Sequence, residues 1–263
     1  MANKIGPHVS LKSSVAQTIA SLPSGCDCFQ CFLGAPIQYA TKKMTTQEIR
    51  DAQAMLEGKK VTMYVHAPYI INLANPEKAS VGRSCLQKLL DTTASISPTQ
   101  TGTILHIGAN GTIENVADQL NSMNICAPLY LENCAGEGSK LGKSMDELHK
   151  LMEATDSHRV GLCIDTCHAH SAGMTDMREA SSVVKLFDEL PEDRSVMFHL
   201  NDSKVAYKAK VDRHMPLGAG TIWGENQDSL ISFASLAMKT GRDVVLETPT
   251  VSLDELKWLQ MVD

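Results

Sequence analysis

Eight short apolar runs, rich in β-branched residues, recur along the chain, and each ends in polar or charged positions. They are KIGPHVS (4–10), CFQCFLG (28–34), VTMYVHAPY (61–69), GTILHIGA (102–109), APLYLENC (127–134), RVGLCIDTCHAH (159–170), SVMFHLNDS (195–203) and DVVLETP (243–249). Continuous apolar runs suit strands buried on both faces. Between them lie helical patterns. TTQEIRDAQAMLE opens on a Thr45/Glu48 capping box, SMDELHKLMEA on Ser144/Glu147 and SLDELKWLQMV on Ser252/Glu255. Further helices are predicted over 11–21, 77–95, 112–123, 178–190 and 225–239. The β-α alternation repeats eight times, with a mean period of about 34 residues from His8 to Glu247. This predicts a single-domain (β/α)8 TIM barrel spanning residues 1–263. The alternative, a doubly wound open sheet, calls for a glycine-rich phosphate turn after an early strand, and the sequence has none.

Composition narrows the class. With 43% hydrophobic and 21% charged residues among 263, the chain is globular and large enough to bury a core without staples. No apolar run is long enough to span a membrane. The start, MANKIGPHVSLKSS, lacks a signal-peptide core, so an intracellular, cytoplasmic or nuclear protein is expected, with its eight cysteines reduced. The net charge of −6 argues against a nucleic-acid partner unless bound cations change the sum. Aromatic content of 5% disfavours an extended base-stacking platform.

The candidate chemistry lies at the strand ends. Of nine histidines, five stand at or just beyond a predicted strand end: His66, His106, His168, His199 and His214. Glu132, Asp165, Asp212 and Glu247 occupy equivalent places. In a barrel these positions converge on one mouth. Carboxylates collected there would repel one another, and divalent metals resolve that conflict. Imidazole with carboxylate suits Zn, Mn or Fe, and nine ligands fit two or three ions. Any one of these residues alone reads as a hydrogen-bonded strand-end or loop residue; the joint pattern carries the argument. His149 and His158 fall in helix or loop patterns as surface residues. His8, with no carboxylate nearby in sequence, is second-layer or structural, and His170 turns elsewhere. Cys26, Cys28 and Cys31 could suggest a zinc cluster but lack a second cysteine pair, so they read as plain thiols. Cys163 reads as core and Cys167 as a turn residue. Segment 204–214 carries Lys204, Lys208, Lys210 and Arg213. It is either a solvated loop or a basic rim for a phosphate substrate.

These residues fall in motifs that resemble the endonuclease IV family, zinc-dependent apurinic/apyrimidinic endonucleases of base-excision repair. The family's LENTAGQG is matched by LENCAGEG from Leu131 to Gly138, and GVCIDTCHAFAAG by GLCIDTCHAHSAG from Gly161 to Gly173. HLNDSK runs unchanged from His199 to Lys204. DRH at 212–214, LGAG at 217–220, GPHVS at 6–10, HAPYIINLA at 66–74 and LETP at 246–249 also fit.

The resemblance implies about three zinc ions per chain, with Mn or Fe possible at one position. One would take His66, His106 and Glu132. A second would share Glu132 and add Asp165, His199 and Glu247. The third would take His168, Asp212 and His214. Glu132, bridging two ions, would position the hydroxide nucleophile that attacks the phosphate 5′ to an abasic site in duplex DNA and leaves a 3′-hydroxyl. Trimming of blocked 3′ ends and action as a monomer are further expectations. Tyr69 and Ile70 follow His66 closely. They either pack the barrel rim or enter the DNA stack beside the abasic nucleotide, with Lys204, Lys208, Lys210 and Arg213 on phosphates. Three departures stand out: the proline of the family's LHPG is Ile107, the threonine of LENTAG is Cys134, and Ile37 stands where some members place an arginine. The competing readings are a single-metal sugar isomerase or epimerase on a related barrel, and a binding protein that holds metals without turnover.

Overall fold

The computed structural model describes residues 3–250 and 253–261. In chain order the elements are β1 (Ile5–Pro7), α1 (Val15–Ala20), β2 (Cys28–Cys31), α2 (Thr46–Lys59), β3 (Thr62–His66), α3 (Pro76–Ile96), β4 (Thr101–His106) and α4 (Ile113–Asn121). They continue with β5 (Leu129–Glu132), α5 (Met145–Ala154), β6 (Val160–Asp165), α6 (Thr166–Ala172), α7 (Ala180–Asp188) and β7 (Val196–Leu200). The chain ends with β8 (Asp202–Ser203), β9 (His214–Met215), α8 (Gln227–Lys239), β10 (Val244–Leu246) and α9 (Leu253–Met261). Eight strands form one sheet in the order β1-β10-β7-β6-β5-β4-β3-β2, and every pairing is parallel. A parallel bridge between His8 and Gln30, with Val9 N–H donating to the Gln30 carbonyl at 2.8 Å, brings the two edges together. The predicted (β/α)8 TIM barrel is therefore the observed architecture.

Strand side chains alternate, so residues i and i+2 share a face. Outward-pointing Phe29, Val65, Leu105, Leu131, Ile164, Phe198 and Leu246 are buried under the helices. Inward-pointing Cys28, Tyr64, Ile104, Tyr130, Cys163, Met197 and Val245 pack a separate inner layer. Both faces are apolar, which explains the unbroken hydrophobic runs. On β1 this inner position must be glycine: a Cβ on Gly6 would lie 1.6 Å from the Cys28 carbonyl oxygen.

Local chemistry sets the helix ends. Thr45 and Glu48 form the predicted reciprocal box at α2. At α5 only half of the expected box forms. Ser144 accepts from the Glu147 N–H at 3.3 Å, but the Glu147 carboxylate is taken by the N–H groups of Gly142 (2.8 Å) and Lys143 (3.2 Å). Ser252 lies outside the described residues, so its predicted cap with Glu255 has no observed counterpart. The run predicted as strand over 159–170 divides, because Asp165 ends β6 and caps α6, accepting from the His168 N–H at 2.7 Å. Cys167, expected in a turn, is therefore buried inside a helix. No described helix is long and apolar enough to cross a membrane.

Candidate metal centre

The residues two positions beyond the inner layer form a ring of their own. From β1 round the barrel they are His8, Gln30, His66, His106, Glu132, Asp165, His199 and Glu247, one in or just past each strand of the main sheet. Seven of the eight can bind a metal; Gln30 is the exception. Above this ring, α6 and the β8–β9 hairpin supply the rest. Capping by Asp165 starts α6 so that His168, in its first turn, faces the mouth. The hairpin carries Asp212 and His214 back over the mouth, with Ser203 paired to His214. Buried Asp202 anchors its return, accepting N–H bonds from Gly218 (3.1 Å), Gly220 (3.0 Å) and Ile222 (2.8 Å).

Among the described residues, the ligand atoms cluster within 4.8 Å of one another in four groups. Three of them are His66–His106–Glu132, Glu132–Asp165–His199–Glu247 and His168–Asp212–His214, the sets implied by the sequence motifs. The fourth, Asp165–Cys167–His214, overlaps them. Burial pushes the Cys167 thiol up to about 12 and Cys134 to about 11.

Spacing supplies a test of fit. Nitrogen and oxygen ligands about 2 Å from a tetrahedral ion lie roughly 3.3 Å from each other. Glu132 Oε2 is 3.2 Å from His66 Nε2 and 3.4 Å from His106 Nε2. His199 Nδ1 is 3.2 Å from Glu132 Oε1 and 3.0 Å from Glu247 Oε2. The two Asp212 oxygens are 3.1 Å from His168 Nε2 and 3.2 Å from His214 Nε2. Those two nitrogens are buried without a hydrogen-bond partner.

Tautomers agree with that use. Nδ1–H of His66 donates to the Ala67 carbonyl at 2.7 Å, His168 Nδ1–H to that of Asn133 at 3.0 Å, and His214 Nδ1–H to that of Glu247 at 3.0 Å. A carbonyl only accepts, so each imidazole turns Nε2 toward the carboxylates. The residues present fit divalent cations of the zinc type.

The electrostatics point the same way. Burial would lift Glu132, but His106 and His199 outweigh it and hold its carboxyl well below the usual range. Glu247 is likewise held low against burial, by His199 and His8. Burial opposes charge on His168, yet Asp165 and Asp212 lift it to about 10; His214 rises to about 9 against burial, chiefly through Asp165. His106 moves down, to about 4, through burial. The ring is a concentrated negative site that holds positive charge.

Three ring residues, His106, Glu132 and Glu247, line a cavity of about 720 Å³ together with His168, Asp212 and His214. Ile70 lines it, and Tyr69, 50% exposed, stands over it with its ring 5.2 Å from that of His66 and 5.4 Å from that of His106. Lys204, Lys208, Lys210 and Arg213 are exposed on the hairpin loop, away from the cavity lining. Lys78 and Lys140, which no sequence motif singles out, line the cavity itself. Two further corrections concern histidines. His8 does have a carboxylate companion, with Nδ1 2.9 Å from Glu247 Oε1, because barrel closure brings the first and last strands of the main sheet together. His149 is half-buried, its Nε2–H donating to the Glu189 carbonyl at 2.7 Å.

A parallel (β/α)8 barrel whose C-terminal mouth gathers imidazoles and carboxylates defines a TIM barrel with a side-chain cluster at its mouth that could hold metal ions. A family model described as "Xylose isomerase-like TIM barrel" matches residues 19–261. The chain is 32% identical over 265 residues to "Probable endonuclease 4" of Lysinibacillus sphaericus (strain C3-41), covering 95% of this chain and 88% of that one. It is 31% identical over 270 residues to the protein of the same name from Bacillus subtilis (strain 168), covering 96% and 89%. Endonuclease IV from Thermus thermophilus superposes with a TM-score of 0.83 at 26% identity, covering 98% of this chain and 97% of that one. The chain belongs to the endonuclease IV family.

Proposed function

We propose that this protein is a single-domain, monomeric DNA-repair endonuclease that hydrolyses the phosphodiester 5′ to abasic sites in duplex DNA. The product would carry a 3′-hydroxyl, and the same chemistry would trim blocked 3′ ends. Kinship with proteins named endonuclease 4 supports the nuclease class. The observation that carries the finer reading is the convergence of nine ligand-type side chains into three groups, the ligand atoms of each within 4.8 Å of one another, six of the nine lining the cavity. About three zinc ions would be held, one by His66, His106 and Glu132, one by Glu132, Asp165, His199 and Glu247, and one by His168, Asp212 and His214. Bound there, they would supply the Lewis acidity that makes water nucleophilic near neutral pH and offsets charge developing on phosphate oxygens.

The chain's own residues do the rest. Glu132 is shared by two ligand groups and sets their relative position. Tyr69 and Ile70, at the rim, fill space beside an abasic nucleotide, whose extrusion costs less unstacking than that of an intact one. Lys204, Lys208, Lys210 and Arg213 meet backbone phosphates and offset the formal charge of −6 locally. The test is a labelled duplex with one abasic site. A nick on its 5′ side whose 3′ end primes a polymerase is expected. An uncut duplex, or a nick 3′ to the lesion, would refute the assignment.

A further inference from the structure

Gln30 occupies the one ring position without a ligand-type side chain, and it is fully buried. Its Nε2 lies 2.7 Å from Glu247 Oε1 and 2.9 Å from His8 Nδ1; its Oε1 lies 2.7 Å from His199 Nε2. Chemistry settles how this amide points. A carboxylate oxygen only accepts, so the NH2 group must face Glu247. The amide oxygen then faces His199 Nε2, which must carry a hydrogen. Nδ1 is left as the nitrogen of His199 that meets Glu132 Oε1 at 3.2 Å and Glu247 Oε2 at 3.0 Å. The same amide engages Glu247 Oε1, so only Oε2 turns into the cluster.

We propose that Gln30 is a positioning residue. One buried amide fixes the tautomer of His199 and the rotation of Glu247 together, and so presets the Glu132–Asp165–His199–Glu247 group for a divalent cation. His66, His168 and His214 receive the same service from backbone carbonyls, which no side-chain substitution removes. His199 depends on a side chain, which makes its site separately tunable. The inference rests on the metal reading of the ring.

Two measurements test it. Long-range imidazole 1H–15N correlation spectra of the whole protein, with Zn2+ present and after chelation, report the His199 tautomer. Protonation at Nε2 with slow solvent exchange is expected in the wild type. In Gln30→Met, which keeps the buried volume, that signal should broaden while those of His66, His168 and His214 persist. Zn2+ competition titrations should then show one site weakened about 10- to 100-fold, the usual cost of removing such an outer partner, and the others unchanged. Gln30→Glu separates the two arms. It keeps an acceptor for Nε2–H but sets a carboxylate against Glu247, so the signal should survive while affinity falls. A wild-type His199 protonated only on Nδ1 would overturn the proposal without recourse to any variant. So would a Gln30→Met protein that keeps both the signal and every Zn2+ affinity within about threefold. Wild-type protein that bound no Zn2+ tightly would sink the metal reading, while the tautomer would still decide for or against Gln30.

Discussion

The double substitution Tyr69→Ala, Ile70→Ala separates DNA distortion from support of the metal ligands. Tyr69 is held where it stands by its backbone N–H, which donates to the Pro36 carbonyl at 2.7 Å, and by edge contacts with Phe32, His66 and His106. Its ring therefore has two available duties: the exposed edge could meet DNA, and the covered edge could prop the imidazoles. A tyrosine side chain buries roughly 150–250 Å² when fully covered. With half of it exposed, about 100 Å² is free to be covered by DNA. At about 25 cal/mol per Å² this is worth about 2.5 kcal/mol, or just under two decades of rate if it is realised only in the transition state. Ile70, already part of the cavity wall, adds less. Single-turnover incision of an abasic duplex should therefore fall by one to two decades, while hydrolysis of a small aryl phosphodiester, which needs no flipping, changes little. Equal losses on both substrates, with zinc content and fold unchanged, would refute the wedge and show that Tyr69 serves by bracing His66 and His106.

Two further outcomes follow from the same geometry. Glu132→Gln keeps the shape of a buried side chain but removes one charge about 3.2 Å from imidazole nitrogens of two ligand groups. At an effective dielectric of about 20 such a loss is worth about 3–5 kcal/mol, two to four decades in kcat/KM; turnover within tenfold of wild type with metals retained would contradict the role given to Glu132. Replacing Lys204, Lys208, Lys210 and Arg213 together by alanine should flatten the salt dependence of duplex binding by about one unit for each phosphate no longer engaged, and an unchanged slope would make the segment a solvated loop.

Six of the eight ring residues were legible because strand periodicity does two things at once. A period of two places the inner apolar layer and then, two residues on, the chemistry, so histidines and carboxylates at strand ends could be grouped from the chain alone. Gln30 escaped notice because an uncharged amide in an apolar run carries no mark of its use; the signal was its register, two residues beyond Cys28 on the one strand lacking a ligand. The companionship of His8 and Glu247 appears only on closure, since it joins residues 239 positions apart. Lys78 and Lys140 were missed for a related reason: one stands in the first turn of α3 and the other in the loop before α5, and only the tertiary fold turns both into the cavity. Cys167 lies in a helix because the Asp165 cap starts α6 where the apolar run predicts strand followed by turn.

Several metal ions held in and just above this ring are proposed to support the incision, and counting them against activity tests this most directly. Protein purified without added metal should contain about three ions per chain, mainly zinc, by elemental analysis, the count expected when nine such ligands each take part. Stepwise chelation should remove abasic-site nicking, and returning Zn2+ should restore it in parallel with occupancy. One ion per chain, or full incision by protein stripped of metal, would contradict the account, the former in favour of a single-metal isomerase or epimerase on the same barrel.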